Sequence, residues 1–346
     1  MSALTTEDLP SCVVFFNEAS SVIGMGHILR SQVLARSMHL RGWKIAGVTI
    51  GDEKAVTFAQ GRCKENGFAW PIELFANANA AIEHIRQYQN VVVVMDCTNY
   101  GRELVYTCKQ SGLPVLALDY FDASPPLPQA VVSLIDHNPD SVAGNPPARE
   151  GVLYKEGPEN AIIRDEFVVA RLERMGRDEP ETLLKVLIAF GGADPSGNTK
   201  RAIEIVAAWP GNFDIDVIIG VLFAPEIEAV VNNVQGDNRI RIHVSPSDMG
   251  RLFQGADLIF CGGGGTLLEA LCVGVPAIVI AQNEAEWRHA QSLANVGVCW
   301  LADCVDWNLV SPIANRKEMS KAARARVDGA GAGRICDCIE QLLNQE

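Results

Sequence analysis

Five consecutive apolar residues, Val91-Val92-Val93-Val94-Met95, stop abruptly at Asp96. A strand with one wet face alternates apolar and polar side chains. An unbroken run suits a strand covered on both faces, as in a parallel sheet between two layers of helix. Strand-like runs of the same kind recur at Cys12 to Phe16, Ile45 to Ile50, Pro114 to Leu118 and Val131 to Ile135. Helical patterns separate them, at Leu29 to Leu40, Ala55 to Asn66, Ala80 to Gln89 and Arg102 to Ser111, and Asp136 to Arg149 reads mostly as loop. A second series has strands at Lys185 to Phe190, Asp214 to Ile219, Ile240 to Val244, Leu258 to Cys261 and Ala277 to Ile280. Its helices are predicted at Asn198 to Ala208, Pro225 to Asn233, Ser247 to Gln254, Thr266 to Val273 and Glu286 to Val296. A helical tail, Pro312 to Leu343, is broken at Gly329 to Gly333. Repeated strand–helix alternation predicts the α/β class, as two doubly wound, Rossmann-like domains facing each other across a cleft. The charged stretch Leu172 to Glu181, with Pro180 near its end, reads as the linker, so the domains are expected at 1–172 and 182–346.

A length of 346 residues suits two domains. The 29 basic against 42 acidic residues leave a net charge of −13, which argues against a nucleic-acid partner while allowing a local basic pocket for phosphate. Of ten cysteines, Cys12, Cys261, Cys272 and Cys299 lie in apolar runs and read as buried, reduced thiols. Cys336 and Cys338, two apart in a helical segment, point to different faces and make a poor metal pair, so neither metal nor cofactor is expected. Met1 to Pro10 lacks a basic-then-apolar signal pattern. No apolar stretch reaches the ~20 residues of a membrane helix, and the cytoplasm is the expected compartment. Met38, Leu40 and Trp43 beside Arg36, Arg41 and Lys44 form a weak version of a membrane-facing patch. Oligomeric state is not legible.

The chemistry concentrates where strands end. Ile23-Gly24-Met25-Gly26-His27-Ile28-Leu29-Arg30 follows the first strand and enters a helix. Gly24 and Gly26 let the backbone approach a ligand and leave His27 open to it, where a neutral imidazole can take a proton from water or a hydroxyl. Arg30 can reach a phosphate or pair with an acidic neighbour. Asp96, with Asn99 and Tyr100, stands on the same ligand edge, with a loop-stabilising role as the alternative for each. In Cys261-Gly262-Gly263-Gly264-Gly265-Thr266-Leu267-Leu268-Glu269, a strand ends, four glycines follow and a helix begins. Such a row of N–H groups, Gly263, Gly264, Gly265 and Thr266 among them, can wrap a diphosphate, and Glu269 can accept from ribose hydroxyls. Gly191-Gly192-Ala193-Asp194-Pro195 is a second glycine turn, in which Asp194 equally reads as a helix cap. Glu286 and His289, at i and i+3, share a helix face and can bond each other or a sugar.

These stretches, with Gly157-Pro158-Glu159-Asn160-Ala161-Ile162-Ile163-Arg164-Asp165-Glu166-Phe167, Gly274-Val275-Pro276 and Val327-Asp328-Gly329-Ala330-Gly331-Ala332, resemble a known family. It comprises the UDP-sugar hydrolases of pseudaminic acid biosynthesis and the related spore-coat polysaccharide proteins. The resemblance covers most of the chain. It implies a glycosyltransferase-B-like fold and a metal-independent reaction in which His27, as base, activates water to displace UDP from the anomeric carbon of a diacetamido-trideoxy sugar. It implies further that the Gly262 to Thr266 loop holds the diphosphate and Glu269 the ribose. The chain departs from the pattern in the sugar half. Phe16 and Glu18 stand where the family has a basic and an acidic residue. Tyr100 matches the family's tyrosine only with a two-residue insertion. Asn160 replaces a tyrosine, and Ala285 and Glu286 stand for the Asn-Gln of the catalytic loop, so that Asn283 serves only if the loop shifts. A glycosyltransferase using the same donor, or a nucleotide-sugar-binding protein without catalysis, are the alternatives to hydrolysis.

Overall fold

The computed structural model describes residues 12–65, 67–122, 124–134, 151–177, 180–183, 185–223 and 237–344. The expected helix at 225–233, the loop at 136–149 and the segment 1–10 lie outside the described residues. Two parallel sheets make the frame, each at the heart of a doubly wound unit.

The first sheet contains β1 (Cys12–Ala19), β2 (Lys44–Gly51), β3 (Ile72–Phe75), β4 (Val91–Asp96), β5 (Val115–Leu118), β6 (Ala130–Ser133) and β7 (Leu153–Glu156). Their order is β3-β2-β1-β4-β5-β6-β7, parallel throughout. The second contains β8 (Lys185–Ala189), β9 (Asp214–Ile219), β10 (Ile240–Val244), β11 (Leu258–Cys261), β12 (Ala277–Val279) and β13 (Trp300–Leu301), in the order β10-β9-β8-β11-β12-β13. The progression of strand order therefore reverses once in each sheet, between β1 and β4 and between β8 and β11. Such switch points are where open α/β sheets leave a crevice for ligands. The central strands β1 and β4 are buried along nearly their whole length, as the valine run predicted. β3 and β7 were not legible in sequence. Both carry edge positions with half-exposed side chains, so their sequences, Ile-Glu-Leu-Phe and Leu-Tyr-Lys-Glu, mix apolar and polar residues over a short length.

The helices in chain order are α1 (Gly26–Leu40), α2 (Glu53–Glu65), α3 (Ala78–Ile85), α4 (Gly101–Gln110), α5 (Asp165–Met175), α6 (Asn198–Ala207), α7 (Met249–Gly255), α8 (Gly265–Val273), α9 (Glu284–Asn295), α10 (Trp307–Val310), α11 (Ile313–Arg326) and α12 (Gly331–Leu343). The segment read as linker begins inside α5, which runs to Met175. That helix packs on the second unit although it precedes the second sheet. Phe167 meets Phe253 of α7 edge-on at 4.8 Å, and the buried Arg174 donates to the carbonyls of Gln254 and Ala256. The last helix crosses the other way. Arg41 at the end of α1 donates to Asp337 (2.8 Å) and Glu340 (2.7 Å) of α12, and Trp43 Nε1 donates to Glu340 (2.9 Å). Helix α12 packs against α1 and β4, and Cys336 and Cys338 are both buried despite their spacing. One apolar cluster consequently runs through both units, from Val13 and Leu34 to Phe253, Leu271 and Ile335. No helix among the described residues is long and apolar enough to cross a membrane.

Candidate active site

The carboxyl ends of β1 and β4 face those of β8 and β11 across a cleft of about 710 Å³. On the first lip, Gly24 closes a tight turn. Its N–H donates to Ser20 O (2.7 Å), and its φ of +88° is a backbone setting that favours glycine. Helix α1 then starts at Gly26 rather than at Leu29, so His27 stands in its first turn. Gly24, Gly26, His27 and Arg30 all line the cleft.

His27 is held from behind. Strand alternation turns Val92, Val94 and Asp96 to the α1 face of the first sheet and Val91, Val93 and Met95 to the other. Asp96 is fully buried, with Oδ1 2.5 Å from His27 Nδ1. Arg30 donates from Nε (2.9 Å) and Nη2 (2.5 Å) to Asp96 and from Nη1 to Asp119 (2.9 Å). Burial alone would raise the Asp96 pKa; the facing charges of Arg30 and His27 outweigh it and hold the carboxyl at about 2. Burial likewise works against the Arg30 charge, and Asp96 and Asp119 outweigh it, so its pKa is raised. An ionised Asp96 fixes the Nδ1–H tautomer and leaves Nε2 as the acceptor on the cleft side.

Several expected ligand contacts need correction. Arg30 is committed through three nitrogens to two carboxylates rather than open to a phosphate. Asp96 does not line the cleft and bonds His27 from behind. Tyr100 also lies off the cleft; it begins α4 on the opposite face of the sheet, packed against the cluster of Phe16, Met95 and Leu104. Asn283 lines the cleft, but its side-chain oxygen caps α9 by accepting from Glu286 N (2.9 Å). Asp194 resolves as a cap too: its two oxygens accept from Asn198 N and Thr199 N, each at 2.9 Å.

The second lip presents backbone. Gly191, Gly192, Gly263, Gly264, Gly265 and Thr266 all line it. A Cβ on Gly192 would fall 2.6 Å from Met25 Cγ, so glycine there permits the two lips to approach. The four-glycine row does not offer every N–H. Gly263 N is taken by Glu286 Oε2 (2.9 Å), which also accepts from Gln282 N (2.9 Å), and Gly263 O lies 2.7 Å from His289 Nδ1. Glu286 and His289 do share a helix face, and they use it to hold the N–H and the carbonyl of one loop residue, Gly263, rather than a sugar. Helix α8 then opens with Gly264 as N-cap and no capping side chain, which leaves the first-turn donors of Gly265 and Thr266 without an intrahelical acceptor.

Glu269, one turn in, lines the cleft beside a residue that sequence reasoning missed. Arg164 donates to both its oxygens (2.8 and 3.2 Å) and to Glu166 (2.8 Å), which also pairs with Arg62 (2.8 Å). Burial raises the Glu269 pKa, and Arg164 only partly offsets it. Thr98, another missed residue, lies on the first lip with Oγ1 3.3 Å from His27 Nε2. Arg164 stands in the Gly157 to Phe167 motif, but neither residue shows its partner locally, because each meets it across a large sequence separation.

The sheets and the cleft define two Rossmann-like domains in the glycosyltransferase-B arrangement. Among solved structures, S. aureus MnaA in its UDP co-structure superposes with a TM-score of 0.65 at 12% identity, covering 98% of each chain. Acinetobacter baumannii MurG gives 0.64 at 16% identity over 96% of this chain and 100% of that one. The glycosyltransferase family 28 C-terminal domain matches residues 221–338. Two curated relatives align: an uncharacterized protein, MJ1062, of Methanocaldococcus jannaschii, 26% identical over 79% of this chain, and the spore coat polysaccharide biosynthesis protein SpsG of Bacillus subtilis, 28% identical over 55%. The alignments span 56% and 59% of those relatives' own length.

Proposed function

We propose that the chain hydrolyses a UDP-activated amino sugar, releasing UDP and free sugar for nonulosonic acid or surface polysaccharide synthesis. The observation that carries this reading is the pairing of unlike lips: an aspartate-held histidine opposite a helix start without a side-chain cap. In the reaction, His27 Nε2 takes a proton as a hydroxyl oxygen bonds to the anomeric carbon. The bond from that carbon to the phosphate oxygen breaks, and its electron pair leaves with UDP. Charge growing on the diphosphate lies beside the α8 N-terminus, whose fixed N–H dipoles favour it. Asp96 stabilises the imidazolium formed. Glu269 accepts from the ribose, with Arg164 holding its carboxylate. Further support comes from the co-structure of MnaA with UDP, which has the same fold, and from the sequence similarity to SpsG.

Transfer to an acceptor other than water is the second reading, favoured by the family 28 match over residues 221–338. Of the weak membrane-facing patch read on the first domain, Leu40 and Lys44 are exposed, but the other four residues give it little support. Met38 is buried, Arg36 pairs with Asp165, and Arg41 and Trp43 are bound to α12. Phosphorus NMR of the purified protein with UDP-2,4-diacetamido-2,4,6-trideoxy-β-L-altropyranose and with UDP-N-acetylglucosamine separates the readings. Release of UDP in buffer alone supports hydrolysis, and release only after adding an acceptor sugar supports transfer. Binding of either donor with no release in both conditions would leave a nucleotide-sugar-binding protein.

A further inference from the structure

Between the end of β4 at Asp96 and the start of α4 at Gly101 lies a short polar loop with an unusual anchor. Glu18, at the end of β1 and 2% exposed, sends its carboxylate across the switch point into this loop. Its Oε2 accepts from Thr98 N (2.6 Å) and Asn99 N (3.0 Å), and its Oε1 from Asn99 Nδ2 (2.9 Å). Three hydrogen bonds to one buried carboxylate are stronger than neutral ones and set the loop's position. A surface loop of this length would otherwise be free to shift. The result is that a threonine hydroxyl stands 3.3 Å from His27 Nε2, while Asp96 stands 2.5 Å from Nδ1 of the same ring.

We propose that Thr98 relays the proton between the attacking hydroxyl and His27, completing an Asp96–His27–Thr98 chain, a role that rests on the reading above. With Nδ1–H directed at Asp96, Nε2 is an acceptor, and the Thr98 hydroxyl is a donor within reach of it. A hydroxyl donates one proton and accepts others, so Thr98 can point its hydrogen at Nε2 and accept the hydrogen of an incoming water or sugar hydroxyl. As the nucleophile's oxygen bonds to the anomeric carbon, its proton passes to Thr98 Oγ1 and the threonine's own proton passes to Nε2. Thr98 ends as it began, the imidazole carries one added proton, and the electron pair of the broken bond leaves with UDP. Placement explains the need for Glu18: without it the hydroxyl has no fixed distance from the ring.

Thr98→Val removes the hydroxyl at nearly constant shape, and Thr98→Ser keeps it. With the two UDP-sugars above as donors, the valine variant is expected to lower kcat by about 10- to 100-fold with KM nearly unchanged, and the serine variant to stay within about threefold of the parent. In a His27→Ala background, Thr98→Val is expected to add less than about twofold, because residues acting as one unit are not additive. Nitrogen-15 NMR of the histidine rings in the unliganded protein reads the contact without turnover: the His27 Nε2 resonance moves in the valine variant and not in the serine variant. Parent-like kcat in Thr98→Val, or an Nε2 resonance indifferent to both changes, overturns the relay while leaving the hydrolase reading in place. A parent protein that releases no UDP from either donor, with or without acceptor, overturns both. A mass increase of one glycosyl unit on Thr98 would replace the relay by a covalent intermediate.

Discussion

The two lips of the cleft are built on the same strand order and open at the same kind of switch point, yet they present different materials. On the first lip the material is side chains: Asp96, Arg30, Asp119 and His27 form a charged network with the imidazole on its cleft side. At β8 and β11 it is made of backbone, glycines and a helix start, braced from behind by Glu286 and His289. On the proposed reading, the difference divides the labour between the two lips. A proton must be taken at one atom, which calls for a titratable group held by a partner. A diphosphate spreads its charge over many oxygens, which calls for several N–H donors and little bulk. The carboxylates differ too: the cations facing Asp96 outweigh its burial and hold it low, whereas at the half-buried Glu269 and Glu286 desolvation wins and raises the carboxyl, although Arg164 faces Glu269.

The comparison breaks most sharply at His27. His27→Ala is expected to lower UDP release by about a hundred- to ten-thousand-fold while calorimetric affinity for UDP stays unchanged; equal loss of both would mean the lips do not divide the work. On the other lip, a Cβ at Gly263 would fall 2.4 Å from the Glu286 carbonyl, whereas one at Gly265 meets nothing within 4 Å. Gly263→Ala should therefore cost about 3 kcal/mol in urea unfolding and weaken UDP binding, and Gly265→Ala should leave stability alone. Similar stability of the two variants would remove the close packing of Gly263 on the Glu286 backbone.

Asp96 supplies a pH test. Its carboxyl is held at about 2 against an ordinary 3.8, so the ionised form stabilises the folded state by about 2 kcal/mol above pH 4. That contribution is lost as pH falls from about 4 to about 2. The total fall in unfolding free energy across that window should be smaller in Asp96→Asn by about 2 kcal/mol, and an unchanged fall would count against the ion-pair network. The smallest effect is expected at Arg164→Gln, with KM for the UDP-sugar rising about tenfold and kcat little changed. Loss of the Arg164 charge would push the Glu269 carboxyl further up, so the rise in KM should grow as pH falls. A pH-independent KM would exclude Glu269 as the group affected.

Much of this frame was legible. The valine run of β4 and the glycines after β1, β8 and β11 announce parallel strands with ligand-facing ends, because burial on both faces and close backbone approach each demand a narrow choice of residues. Edge strands β3 and β7 escaped notice, since half-exposed positions tolerate almost any side chain. The site was legible as positions but not as partners. Glu286 and His289 were recognisable as a pair on one helix face, yet nothing local says that they hold Gly263, which lies 23 residues from Glu286 and 26 from His289. Tyr100 looked suitable because it follows Asp96 closely; strand alternation and the start of α4 carry it to the opposite face.

Sequence by itself therefore determined the class of fold, the glycine corners and His27, through periodicity and through residues with few substitutes. Tertiary structure alone decided what each polar group is bound to. Arg30 became a clamp on two aspartates, Arg164 a partner for Glu269, and Glu18 the anchor that sets Thr98 against the imidazole. The physical reason is that a hydrogen bond depends on distances within an ångström, and parallel strands joined through helices bring together residues far apart in the chain.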